Sequence, residues 1–244
     1  MVLPKKKEYI DRLIDESLAD DDETLDFKGK FIGDDGVEAL VMSDRLEGVE
    51  NLDLTRNHLT HKSGPLIADN PKFANLRRLY LGDNNLADRG AEALAHAVFA
   101  SELSQLDLRF NNIGLAGGKA IAESDLFRRL QVLVFQENMV GDQALEILSK
   151  NASFGNLRKL NFYRTGVTDQ GVKTLSKSKV MKKLKYLNLA RNYIYLPAAE
   201  ALAKTKTLTN IETLMFYDTS IGDAGVKAIV NSPSFSKLKT LRVT

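Results

Sequence analysis

The stretch LRKLNF, residues 157–162, returns as LKYLNL at 184–189 and as IETLMF at 211–216, each copy starting 27 residues after the last. A fixed step of that size marks a stacked repeat, one supersecondary unit copied along the chain. Followed both ways, the register begins at Asp22 and gives starts at 22, 49, 76, 103, 130, 157, 184, 211 and 238. The 244 residues then divide into a leader (1–21), eight 27-residue units (22–237) and LKTLRVT (238–244), the first seven places of a ninth unit.

Within the unit, place 4 is leucine in all nine copies and place 6 is Leu, Phe or Val. Alternation puts these two places on one face of a strand and places 3, 5 and 7 on the other. Place 9 is Asn57, Asn84, Asn111, Asn138 and Asn192, with Thr165 and Thr219 in two units and Lys30 in the first. A side chain turned inward just after a strand needs partners for its amide, so these asparagines are expected to form a ladder on the backbone of adjoining turns. Place 11 is apolar throughout, and then IGDDGVEAL, LADRGAEAL, VTDQGVKTL and IGDAGVKAI carry the marks of a helix. Their shared Asp is expected to cap that helix, and the Gly two places later to let it pack closely on the strand.

These residues resemble the leucine-rich repeat family, LxxLxLxxNxL. The 27-residue unit with a full helix is similar to its ribonuclease-inhibitor-like class, over residues 22–244. The resemblance implies an α/β right-handed solenoid, a horseshoe with a parallel concave sheet and convex helices. It also implies a non-enzymatic role in which the concave face captures a protein, inhibiting or scaffolding it. Geometry agrees on the shape: strands stack about 4.8 Å apart and helices about 9 Å, which bends the array about 20° per repeat. The chain departs from ribonuclease inhibitor in its lack of cysteine and smaller number of repeats, so inhibition of a ribonuclease does not carry over. At the front, KEYIDRLIDESL sets Tyr9, Ile10, Leu13, Ile14 and Leu18 on one helical stripe, an expected cap within residues 1–21 of one continuous domain.

Composition narrows the function classes. Zero cysteines exclude disulfides, thiolate metal sites and cysteine nucleophiles, and fit a reducing compartment. No apolar run approaches the roughly 20 residues of a membrane span. Glu8 and Asp11 fall where a signal peptide would need its apolar stretch. The expected location is cytoplasmic, or a host cytosol reached without a cleaved signal. The three histidines, His58, His61 and His96, have no matching carboxylate constellation, and no G-x-G-x-x-G or Walker pattern occurs, so neither catalytic residue, cofactor nor metal is assigned. The formal charge of +2 is graded: residues 1–75 hold 17 acids and 10 bases, net −7; residues 76–156 hold 10 and 8, net −2; residues 157–244 hold 5 and 16, net +11.

The framework asks nothing of places 3, 5, 7 and 8, so large side chains there lack a core explanation. Tyr80, Val134 and Met215 stand at place 5, Tyr163 and Tyr217 at place 7, Tyr186 at place 3, and Phe110 at place 8, with Arg109, Arg164 and Arg191 beside them. Asp26, Asp53, Asp83 and Asp107 lie nearer the acidic end. Tyrosine, arginine and methionine are enriched at protein interfaces, and the named ten form the candidate partner-binding set, centred on repeats four to eight. Tyr193 and Tyr195 extend it along one rim. Lateral packing between neighbouring side chains of the same face is the competing account.

Two other classes compete. One is regulation of a small GTPase, as in some ribonuclease-inhibitor-like proteins; the other is nucleic-acid binding by the basic last third, through lysines such as Lys173, Lys177, Lys179, Lys182 and Lys183. A bacterial effector acting in a host cell, or an antagonist of one, is compatible with the first reading. The closing LKTLRVT leaves a sheet edge open to self-association, against which Lys237, Lys239 and Arg242 act by charge.

Overall fold

The computed structural model describes residues 4–18 and 22–243. Residues 1–3 and 19–21 of the expected cap region, and Thr244 of the ninth unit, lie outside the described residues. Nine three-residue strands form one sheet in sequence order. They are Thr24–Asp26 (β1), Asn51–Asp53 (β2), Arg78–Tyr80 (β3), Gln105–Asp107 (β4), Val132–Val134 (β5), Lys159–Asn161 (β6), Tyr186–Asn188 (β7), Thr213–Met215 (β8) and Thr240–Arg242 (β9). Each pairs in parallel with the residue 27 later, as Leu133 does with Leu160. The helices are Pro4–Leu18 (α1), Gly33–Val41 (α2), Ser63–Ala68 (α3), Ala87–Ala95 (α4), Leu115–Glu123 (α5), Gly141–Leu148 (α6), Asp169–Leu175 (α7), Leu196–Ala203 (α8) and Gly222–Val230 (α9). The sheet and its helices form an α/β solenoid with one parallel sheet. No described helix is long and apolar enough to cross a membrane.

The core lies between sheet and helices. Places 4 and 6 are sealed from Leu25 and Phe27 through Leu214 and Phe216, and so is the place-11 column from Ile32 to Ile221. Each fully buried Leu or Phe contributes about 1.5–3 kcal/mol. Phenylalanines also touch between repeats, Phe135 against Phe162 at 5.6 Å and Phe127 against Phe154 at 5.9 Å between ring centres. At the front, Ile10, Leu13 and Ile14 of α1 join this core, Lys6 Nζ donates to the Ile32 carbonyl at 2.8 Å, and Arg45 pairs with Asp15.

The asparagines serve the backbone. Asn138 accepts from the N–H groups of Asn111 at 3.1 Å and Ile113 at 2.9 Å, and donates to the carbonyls of Leu108 at 2.8 Å and Phe135 at 3.0 Å. Asn57, Asn84, Asn111 and Asn192 repeat the pattern one unit at a time. Where threonine replaces asparagine, its hydroxyl keeps one bond, Thr165 to the Phe162 carbonyl at 2.9 Å. Just before this column the chain turns through the left-handed region: place 8 has φ between 49° and 67° in all eight full repeats, from Gly29 through Arg56, Asp83, Phe110, Glu137, Arg164 and Arg191 to Asp218. Seven of these residues carry a side chain in a conformation that glycine enters most easily.

Two sequence expectations need correction. The recurring aspartates do not cap their own helices: α2, α4, α6 and α9 start without a side-chain cap. The carboxylates reach forward instead, Asp34 to Thr60 N at 2.8 Å, Asp88 to Gly114 N at 2.7 Å, Asp142 to Thr168 N at 2.7 Å and Asp169 to Tyr195 N at 2.8 Å. They satisfy loop amides of the next repeat and so tie units together. The helix glycines, likewise, do not make room for the strand. A Cβ on Gly36, Gly90 or Gly225 would come within 2.5–2.9 Å of the place-11 Cβ of its own unit, Ile32, Leu86 or Ile221, and one on Gly171 within 2.4 Å of Asp142 in the unit before, so these glycines clear the turn into their own helix and, at Gly171, the neighbouring helix.

Candidate protein interface

The sheet face turned away from the helices is built from places 3, 5 and 7, with place 8 along its border. Much of it is committed to the fold. At place 5, Asp26, Asp53, Asp107, Asn161 and Asn188 each accept from the backbone N–H two residues on, at 2.8–3.1 Å. Such turns start the bend that leads into the left-handed place 8. Tyr80, Val134 and Met215 interrupt this column, and the turn does not explain their choice.

Tyr80 sits in register between Asp53 and Asp107, and burial pushes its phenol above the usual tyrosine range. Asp107 is buried, and burial raises its carboxyl against the opposing pull of the Arg109 amide and guanidinium, whose Nη2 lies 3.1 Å from it. Arg109 folds across the open backbone of Gly82, where a Cβ would meet its Cγ at 2.9 Å. Phe110, 43% exposed, borders a cleft of about 170 Å³ shared with Arg109, Arg56 and Lys28. Val134 is only 6% exposed, shut in by its neighbours, and offers a partner almost no area.

Beyond β5 the aromatic residues gather. Tyr163 and Tyr217 belong to units six and eight, yet their ring centres are 5.9 Å apart, because the intervening place 7 is the small, buried Ala190. The Arg191 guanidinium lies 5.8 Å from the centre of Tyr163 and donates to Asp218 at 2.8 Å. Lys159 Nζ stands 5.0 Å from the centre of Tyr186, a cation–π contact that sequence reading missed although Lys159 occupies the facing place 3 one unit earlier. Tyr163, Tyr186, Met215 and Tyr217 are all half-buried. From unit five onward, the described residues at places 3, 5 and 7 include no carboxylate.

The arginines at place 8 are already partnered along the border: Arg56 with Asp83 at 2.7 Å, Arg164 with Glu137 at 2.8 Å, and Arg191 with Asp218. Outside this border, Met139, Tyr193 and Tyr195, 60%, 66% and 51% exposed, flank a depression of about 480 Å³ that also includes Arg164 and Arg191. Met139 was missed in the sequence, where its loop position gave only the period as a guide. Among the described residues, no cluster of three or more His, Asp or Glu side chains is placed to hold a metal ion.

The family described as Leucine Rich repeat matches residues 74–95 and 103–122, within the third and fourth units of the register apart from two leading residues. Together with the nine-stranded parallel sheet, the match supports a leucine-rich repeat protein, a type of repeat that generally mediates protein–protein interaction. No curated protein matches the chain.

Proposed function

We propose that this chain is a non-catalytic protein-binding module of the ribonuclease-inhibitor-like type, and that its open face in units six to eight holds the partner. One observation carries the reading: Tyr163, Tyr186, Met215 and Tyr217 stand half-exposed on a face whose scaffold requires none of them. Burying such rings against a partner gains area at low conformational cost, and their hydroxyls supply direction. Lys159 and Arg242, with no carboxylate among the described places 3, 5 and 7 of units five to nine, favour a partner surface that brings acidic groups to the rings. The paired place-8 arginines act as a border that keeps this surface flat and oriented.

Affinity capture from cell extract, with identification of the bound proteins, tests the reading. Wild-type chain is expected to retain a partner that a Tyr163→Asp, Tyr217→Asp variant loses while keeping its circular dichroism spectrum. A folded variant that retains every partner places the interface elsewhere.

A further inference from the structure

The outer surface carries a second feature that the open face does not use. Place 21, at or just past the end of each helix, reads Asp69, His96 and Glu123 in units two to four, and then Lys150, Lys177 and Lys204 in units five to seven. A lysine there suits the negative end of a helix. The acids at the same place in earlier units show that the scaffold does not demand it. Nor does the helix end account for Lys179 and Lys206 two residues further on, although Lys173, in the last turn of α7, also suits it. Among the described residues, none of these six lysines forms an ion pair, whereas Lys6, Lys72, Lys119, Lys185 and Lys239 elsewhere do. Two depressions adjoin at Lys177, one of about 460 Å³ running to Lys173 and Lys204, the other of about 380 Å³ running to Lys150 and Lys179. Glu200 is the single carboxylate in their walls.

We infer that this lysine surface around Lys177 docks an acidic polypeptide segment, one bearing closely spaced aspartates or glutamates. The hydroxyls at the floor are already used internally, Ser149 to the Leu145 carbonyl and Ser178 to the Ser149 carbonyl, so recognition falls to the ammonium groups alone. Lysine is a compact point charge that accepts carboxylates from many directions. Neither arginine nor an aromatic ring lines the two depressions, and these are the groups that grip phosphates in a fork and stack on bases. A flexible acidic chain fills two adjoining hollows, which a rigid duplex or a bilayer plane would only bridge.

Fluorescence anisotropy of a labelled deca-glutamate peptide, titrated with the full chain at low salt, tests this directly. Wild type is expected to bind, and Lys177→Glu with Lys204→Glu to weaken binding by at least about tenfold, with a corresponding loss of salt sensitivity. Lys177→Gln with Lys204→Gln is expected to fall between, and Lys5→Glu, in α1 at the far end of the stack, to leave affinity unchanged. Equal binding by wild type and the charge-reversed chain would overturn the inference. So would tighter binding of a DNA duplex or of phosphatidylserine vesicles at the same salt. The Tyr163→Asp, Tyr217→Asp variant keeps the peptide if the two surfaces are separate, so this test and that of the open face fail independently.

Discussion

A single carboxylate, Asp107, shows how scaffold and face compete for the same residues. Its Oδ1 accepts the Arg109 amide, a bond that Asn161 and Asn188 make from the same place without a charge. Burial raises its pKa above the ordinary 3.8. The charged form is therefore disfavoured in the folded state, and stability falls as pH rises from the ordinary value through the raised one. Asp107→Asn keeps the turn and removes that dependence. Thermal melts are expected to show the variant as stable as wild type or more so at neutral pH, with a flatter profile on the acid side. A loss beyond about 1 kcal/mol would mean that the Arg109 pair outweighs the cost of burial. Asn138 is a residue of the opposite kind, with five backbone partners and 1% exposure. Asn138→Ala is expected to cost about 2–4 kcal/mol in urea unfolding, because buried backbone groups lose their partners. Asn138→Thr is expected to cost less, since Thr165 occupies this place naturally and keeps one of the bonds.

At the scale of the element, the strand–loop–helix order and its phase were legible from period alone: places 4, 6, 9 and 11 each have a packing or hydrogen-bonding reason that sequence displays. The left-handed place 8 was not, because only Gly29, Asp83 and Asp218 hint at positive φ there, while Arg, Phe and Glu carry no sign of it. The direction of the aspartates was also hidden, since a cap on its own helix and a bond to the next loop demand the same residue. Ion pairs between neighbouring units, in contrast, follow from the period, as in Arg56 with Asp83. Glu212 is one such link, joining Lys185 and Lys239 of the flanking units at 2.7 and 2.6 Å. Hydrogen bonds from those two lysines hold its pKa at about 2, below the ordinary 4.5. Its contribution is present above the ordinary value and is lost as pH falls towards the lowered one. Amide exchange in β9 is expected to quicken across that window, from about pH 4.5 down to 2, more in wild type than in Glu212→Gln, in which the charge is absent throughout. Identical pH responses would show that the link does not hold the last strand.

Across the whole molecule, a stack stabilised by neighbour contacts leaves the part of its open face not taken up by the place-5 turns free of structural duty. The candidate site was legible only in part. The period placed Tyr163, Tyr186 and Tyr217 on one face, but the approach of Tyr163 to Tyr217 across two units depends on Ala190 being small and buried between them. Val134 looked available in sequence and is enclosed in the structure. The gradient from net −7 to net +11 along the chain separates an acidic entry from a basic exit. A field of that shape would orient a charged partner before contact, an effect that salt weakens. Hydroxyl-radical footprinting of the complex with a captured partner reads the central claim most directly. Protection of Tyr163, Tyr186, Met215 and Tyr217, with Met42 on the outer side still oxidised, is the predicted result. Full oxidation of those four side chains in a saturated complex would contradict the account.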